Sequence, residues 1–130
     1  MRDEHRNHPR FRVKRQAFAG LISPKSDIIF QLGQIVDISK GGVSLYYIPS
    51  EKNGNGVTHI SIFGRMDEFI RIEKISCKVV YDIKIPTKGW MNLPEIRCGI
   101  EFLSRSSREE KQIEGFIRTF AVNQDTEHIR

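Results

Sequence analysis

From Phe11 onward apolar and polar side chains alternate. Phe11, Val13 and Arg15 share one parity and Arg12, Lys14 and Gln16 the other, a period-two pattern that predicts a first strand over residues 11–22. Ser23-Pro24-Lys25-Ser26-Asp27 is turn chemistry, and residues 28–38 read as a second strand with an interruption near Gly33. Asp37-Ile38-Ser39-Lys40-Gly41-Gly42 then offers side-chain acceptors for nearby amides and glycines that tolerate positive φ, so a turn is expected before a third strand over 43–48. Asn53-Gly54-Asn55-Gly56 marks another turn, leading to a fourth strand over 57–63.

A long fifth strand is expected over 69–81. Ile70 and Ile72 are out of phase with Ile75, Cys77 and Val79, and a bulge near Glu73 and Lys74 would return all five to one face. Residues 82–94 form a connection holding Trp90, expected to pack at a barrel end, and 95–103 supply a sixth strand. The period then changes. Ile113, Phe116, Ile117 and Phe120 make one helical stripe, and Ser106 with Glu109, or Ser107 with Glu110, forms a capping box ahead of it. The chain is expected to fray after Val122.

Six short strands and one amphipathic helix leave too few connecting helices for an α/β sheet. The expected class is all-β, a six-stranded antiparallel barrel with a C-terminal α-helix. The helix must bury its stripe, either in an open end of the barrel or at a dimer face. Residues 1–10 are expected to form a flexible arm, 11–122 the barrel with its helix, and 123–130 a frayed tail.

The length of 130 residues suits one domain, and 38% hydrophobic with 28% charged residues excludes a disordered chain. No apolar run reaches the ~18 residues of a membrane span, and the first 15 residues hold no signal-peptide core. A cytoplasmic location is expected. Cys77 and Cys98 are too few for a disulfide scaffold or a four-thiolate metal site and are expected to be buried free thiols. His5 and His8 beside Asp3 and Glu4 have no complementary ligand cluster, so no metal is expected.

The formal charge is +5, and six cations, Arg2, Arg6, Arg10, Arg12, Lys14 and Arg15, stand among the first 15 residues against Asp3 and Glu4 alone. An anionic partner should therefore meet the N-terminus. Arg6-Asn7-His8-Pro9-Arg10 places two guanidiniums four residues apart, and Pro9 biases His8 away from helix. Such forks suit phosphate oxygens or guanine O6 and N7. The Asp37 carboxylate can accept from the N1 and N2 hydrogens of guanine, or hold an arginine. Neither cysteine has an adjacent histidine, and no G-x-S-x-G or lysine-bearing phosphate loop occurs, so an enzyme is not expected.

In this order, ahead of a barrel-like strand series, the two groups resemble the PilZ domain family, with its R-x-x-x-R near the start and [D/N]-x-S-x-x-G some thirty residues later. Arg6 and Arg10 match the first motif; Asp37, Ser39 and Gly42 match the second. The likeness continues through Pro9-Arg10-Phe11, Gly41-Gly42-Val43 and Cys98-Gly99-Ile100-Glu101-Phe102, and spans residues 4–120. It implies a six-stranded PilZ-like barrel with a C-terminal helix that binds the bacterial second messenger cyclic di-GMP (c-di-GMP) and needs no other cofactor. Arg6 and Arg10 would clamp phosphates and stack on or bond to guanine, Asp37 and Ser39 would address a guanine edge and adjacent backbone, and Gly42 would permit close approach.

Arg2, Arg12 and Gly99 are candidate additional contacts. His5 stands where many members carry a second arginine directly before the first motif, which keeps open a PilZ-like adaptor that works by protein contacts without nucleotide. One ligand or a stacked pair is compatible with the family. The expected partners are c-di-GMP and an unidentified downstream protein reached through the ordered arm, and the sequence is compatible with either a monomer or a homodimer. A nucleic acid is disfavoured because no aromatic strip accompanies the basic charge.

Overall fold

A computed structural model of the chain describes residues 8–23, 28–49, 56–86 and 95–122. Its elements are β1 (Phe11–Arg12), β2 (Ala17–Ile22), β3 (Ile29–Ser39), β4 (Gly42–Tyr47), β5 (His59–Arg65), β6 (Phe69–Ile85), β7 (Glu95–Phe102) and α1 (Ser107–Phe120). All pairings are antiparallel. β3 pairs with β2 along its first half and with β4 along its second, so the order β3-β2-β5-β6-β7-β4 returns to β3 and closes a six-stranded barrel. β1 lies on the same edge of β3 as β2, which makes β1 and β2 one strand broken at residues 13–16. The continuous first strand expected over 11–22 is thus split.

The expected interruption of the second strand near Gly33 does not occur. β3 runs unbroken through Gly33, where the barrel wall is tight: a Cβ there would lie 2.5 Å from Leu45 Cδ1 and 2.7 Å from the Tyr46 carbonyl oxygen. The irregularity sits at Val36 instead. Ile35 pairs with Leu45 and Asp37 with Ser44, leaving Val36 as an extra residue. Because one inserted residue reverses side-chain parity, Ile35 and Ile38 both face the core and Asp37 points outward.

The bulge expected in the fifth strand is present. Ile60 pairs with Ile75 and Ile62 with Ile72, so Glu73 and Lys74 oppose Ser61 alone, and Ile72, Ile75 and Cys77 are all buried. Lys74 adopts φ +53° and its amide donates to Ser61 Oγ at 3.1 Å. β6 also runs past the expected end at Tyr81, to Ile85, because β7 pairs with it as far as Glu95.

Helix α1 starts in the first of the two capping registers. Ser106 Oγ accepts from the Glu109 amide at 3.1 Å, and Glu109 Oε1 accepts from the Ser106 amide at 3.0 Å. Its buried residues, Ile113, Phe116, Ile117 and Phe120, join the barrel interior in one core. The helix end is tied to the break between β1 and β2, since the Lys14 amide donates to the Phe120 carbonyl and the Val122 amide to that of Arg12. Of the two places open to the helical stripe, the barrel end is the one it fills. Trp90, the start of the 53–56 turn, and residues 1–7 and 123–130 lie outside the described residues. Among those described, no helix is long and apolar enough to cross a membrane.

Both thiols are free and inside the core. Burial pushes Cys77 up to about 12, and burial followed by the nearby Asp82 pushes Cys98 upward as well. A raised thiol stays protonated and unreactive at neutral pH. Iodoacetamide at pH 7.5 should therefore leave the native protein unmodified and add two carbamidomethyl groups in urea. Rapid modification of either cysteine in the native state, read by mass spectrometry, would contradict this burial.

Candidate functional site

Strand register assembles the site. Arg12 of β1 pairs with Asp37 of β3, Asp37 with Ser44 of β4, Ser44 with Gly99 of β7, and Gly99 with Tyr81 of β6. Directly opposed residues in antiparallel strands share a face, so these five lie in one row across the outside of the barrel. Tyr81 reaches that face through a second bulge in β6. Val79 pairs with Ile100 and Tyr81 with Gly99, leaving Val80 extra and turning Tyr81 away from the core parity of Val79. Its ring lies on Gly99: a Cβ there would come within 2.2 Å of Cε2, so only glycine permits this contact.

Asp37, Ser44, Gly99 and Tyr81 of this row floor a cleft of about 520 Å3, within the range of small-molecule sites. Asp37, Ser39, Gly42, Gly99, Tyr81 and Ser44 line it, with Arg10, Arg97, Arg105 and His8 around them. Arg10 Nε donates to Asp37 Oδ1 at 2.8 Å and Arg10 Nη2 lies 2.7 Å from the same oxygen, which joins two motifs 27 residues apart. Arg97 Nη2 approaches Asp37 Oδ2 at 3.7 Å, and the Arg97 guanidinium sits over the Tyr46 ring at 5.5 Å. One carboxylate thus lies between two guanidiniums.

Ser39 is 1% exposed and its hydroxyl serves the turn, accepting from the Gly41 amide at 3.0 Å and lying 3.5 Å from the Gly42 carbonyl oxygen. Gly42 packs against β7 so closely that a Cβ would stand 2.3 Å from the Ile100 carbonyl oxygen. These two residues give the turn its shape, which presents Asp37 and the cleft wall. Ser44 Oγ is buried with no hydrogen-bond partner among the described residues, and so is Arg97 Nε.

Of the residues singled out from sequence, Arg10, Asp37, Ser39, Gly42 and Gly99 border this cleft, and Arg12 stands in the same outer row. Arg6 and Arg2 lie outside the described residues. Arg97 and Tyr81 were missed. Arg97 is two residues before Gly99, with buried Cys98, Ile100 and Phe102 on the other parity, so strand alternation already placed it outward. Tyr81 had no such signal, because its orientation depends on the Val80 bulge. Among the described residues no group of three or more His, Cys, Asp or Glu side chains could hold a metal ion.

No family model matches the sequence, and no curated protein matches it. Solved structures do resemble it. The PilZ domain of YcgR from Escherichia coli, solved with c-di-GMP, superposes with a TM-score of 0.64 at 13% identity, covering 86% of this chain and 88% of that domain. MrkH from K. pneumonia in its c-di-GMP complex superposes at 0.62 and 18% identity, over 86% of this chain and 49% of MrkH. In a longer YcgR structure, also with c-di-GMP, the match covers 44% of that chain at a TM-score of 0.57. The chain therefore spans about half the length of these larger proteins. The likeness extends over most of this chain, and the fold of the closed barrel with its C-terminal helix is that of a PilZ domain.

Proposed function

We propose that this domain is a receptor for c-di-GMP that binds without turnover. The observation that carries the reading is the meeting of Arg10 and Asp37 at the mouth of one polar cleft. A cyclic dinucleotide carries two phosphodiester charges and two purines, and so calls for cationic forks, a carboxylate and flat surfaces. Arg10 offers the fork, Asp37 an acceptor for a guanine N1 and N2 edge, and the Tyr81 ring and Arg97 plane surfaces on which a purine can stack.

The side chains of Arg10 and Asp37 are 41% and 18% exposed, so water reaches the pair from the arginine's side and screens it to on the order of 1 kcal/mol. It can therefore be exchanged for ligand at little cost, with Arg10 passing to a phosphate and the carboxylate to guanine. Arg6 completes the clamp from the arm, Ser39 and Gly42 hold the turn, and Arg12 and Gly99 border the nucleotide. Neutralising the arm orders it and creates a surface for a downstream protein.

One observation favours a second reading, an adaptor that binds no nucleotide: Asp37 already holds Arg10 and lies near Arg97. Calorimetric titration of the full chain with c-di-GMP separates the two, with GMP as the control for a single guanine and phosphate. Saturable binding of one or two equivalents, much tighter than GMP, is expected. A folded protein giving no heat with c-di-GMP would leave the adaptor.

A further inference from the structure

The outer face of β2 and β5 is apolar where a solvated barrel wall would be polar. Phe18 pairs across strands with Phe63, their rings 6.3 Å apart, and Phe63 lies 6.2 Å from the ring of Phe69. Leu32 opposes Gly20 beside this ladder, and the Ile29 side chain lies across Gly20, which makes the surface continuous. Phe69 is 56% exposed, Leu32 53%, Ile29 40% and Phe18 36%. In the ring of strands, β2 and β5 lie opposite β7 and β4, which carry the nucleotide cleft. Nothing in the proposed receptor function uses this face.

Its size and shape limit what can cover it. With aromatic side chains offering about 150–250 Å2 each, the exposed parts of these residues add up to on the order of 400 Å2 of apolar surface. That falls within the about 300–600 Å2 of the largest apolar patch on a typical monomer, a patch that is often functional. A standard interface buries about 800 Å2 per partner, of which about 65% is apolar in homodimers, so the patch supplies most of the apolar area one side needs. β2 and β5 are paired along both edges, so no free backbone edge invites an added strand there. A partner must therefore bring side chains on a preformed surface.

We propose that this partner is a second copy of the chain, docked through the same face about a two-fold axis. An isologous contact sets each patch against itself, which suits a surface combining an aromatic ridge with a groove of about 350 Å3 between Ile29, Phe63 and Phe69. The groove's polar rim is of mixed sign, with an Arg71–Glu73 ion pair beside Lys74, so like charges need not confront one another across the axis. Helix α1, the other element that could have offered a dimer face, has its apolar stripe inside the barrel. Dimerisation through β2 and β5 leaves both nucleotide clefts open and facing away from each other.

Sedimentation equilibrium of the full chain across the micromolar range, without nucleotide, tests this independently of ligand binding. The wild type should approach twice the chain mass. Phe69→Glu and Leu32→Lys each place a charge on an exposed side chain, so folding should persist by circular dichroism while dimer dissociation constants rise at least about tenfold. Lys111→Glu, on the exposed side of α1, should leave the mass unchanged. A wild type that stays monomeric at the highest concentration would overturn the proposal and leave the face to another protein. A dimer that survives both patch substitutions, or one that Lys111→Glu also breaks, would overturn it as well.

Discussion

Replacing Phe116 by alanine is expected to lower the unfolding free energy by about 3–5 kcal/mol, the range for removing a fully enclosed aromatic ring from a core. Phe116 is 0% exposed, its ring is stacked 4.5 Å from that of Phe120, and both belong to the core that fills the barrel. The loss has two parts, the transfer of the ring atoms and the cavity left where α1 closes the barrel end. Against a typical total of about 5–15 kcal/mol, such a loss brings the domain near its limit. Urea denaturation measures it, and Ile48→Ala serves as the comparison because that residue is 52% exposed and lies outside the barrel core. A change below about 1 kcal/mol at Phe116 would mean that the helix does not plug the barrel.

Arg10→Ala and Asp37→Ala should each weaken c-di-GMP binding about 10- to 100-fold, since a hydrogen bond to a charged group contributes about 1.5–3 kcal/mol. Arg10→Ala should change stability by no more than about 1 kcal/mol, because the Arg10 side chain is 41% exposed. The two substitutions differ in character. Loss of Arg10 removes a phosphate fork and should act on any cyclic dinucleotide. Loss of Asp37 removes the guanine acceptor but also releases Arg10 and Arg97 toward the phosphates, so it should chiefly erode preference for guanine over adenine. The double variant should be less than additive, because the residues share one contact. Titrations with c-di-GMP and its adenine counterpart provide the comparison, and a change below about threefold in Arg10→Ala would take this arginine out of the site.

Part of this architecture was legible because its signals are local. Ile113, Phe116, Ile117 and Phe120 at helical spacing, with Ser106 and Glu109 ahead of them, specify a capped helix and its buried face without reference to anything distant. The three-residue step from Ile72 to Ile75 exposes a parity slip, and the bulge at Glu73 and Lys74 is its structural counterpart. Ile35 and Ile38 carry the same three-residue step. Attributing the irregularity of that strand to Gly33 overlooked it, yet the resulting bulge at Val36 is what turns Asp37 outward.

The remainder depended on strands remote in sequence. Arg97 could be placed outward by alternation, but its position beside Asp37 follows from β4 lying between β3 and β7 with Ser44 opposite both Asp37 and Gly99. Tyr81 lies over Gly99 because Val80 is left unpaired against β7. Side-chain period and turn chemistry within a dozen residues were enough for the barrel-and-helix plan and for the Asp37 turn. Which residues share the cleft was set by long-range pairing, because a shift of one residue in any strand moves every side chain on it to the opposite face.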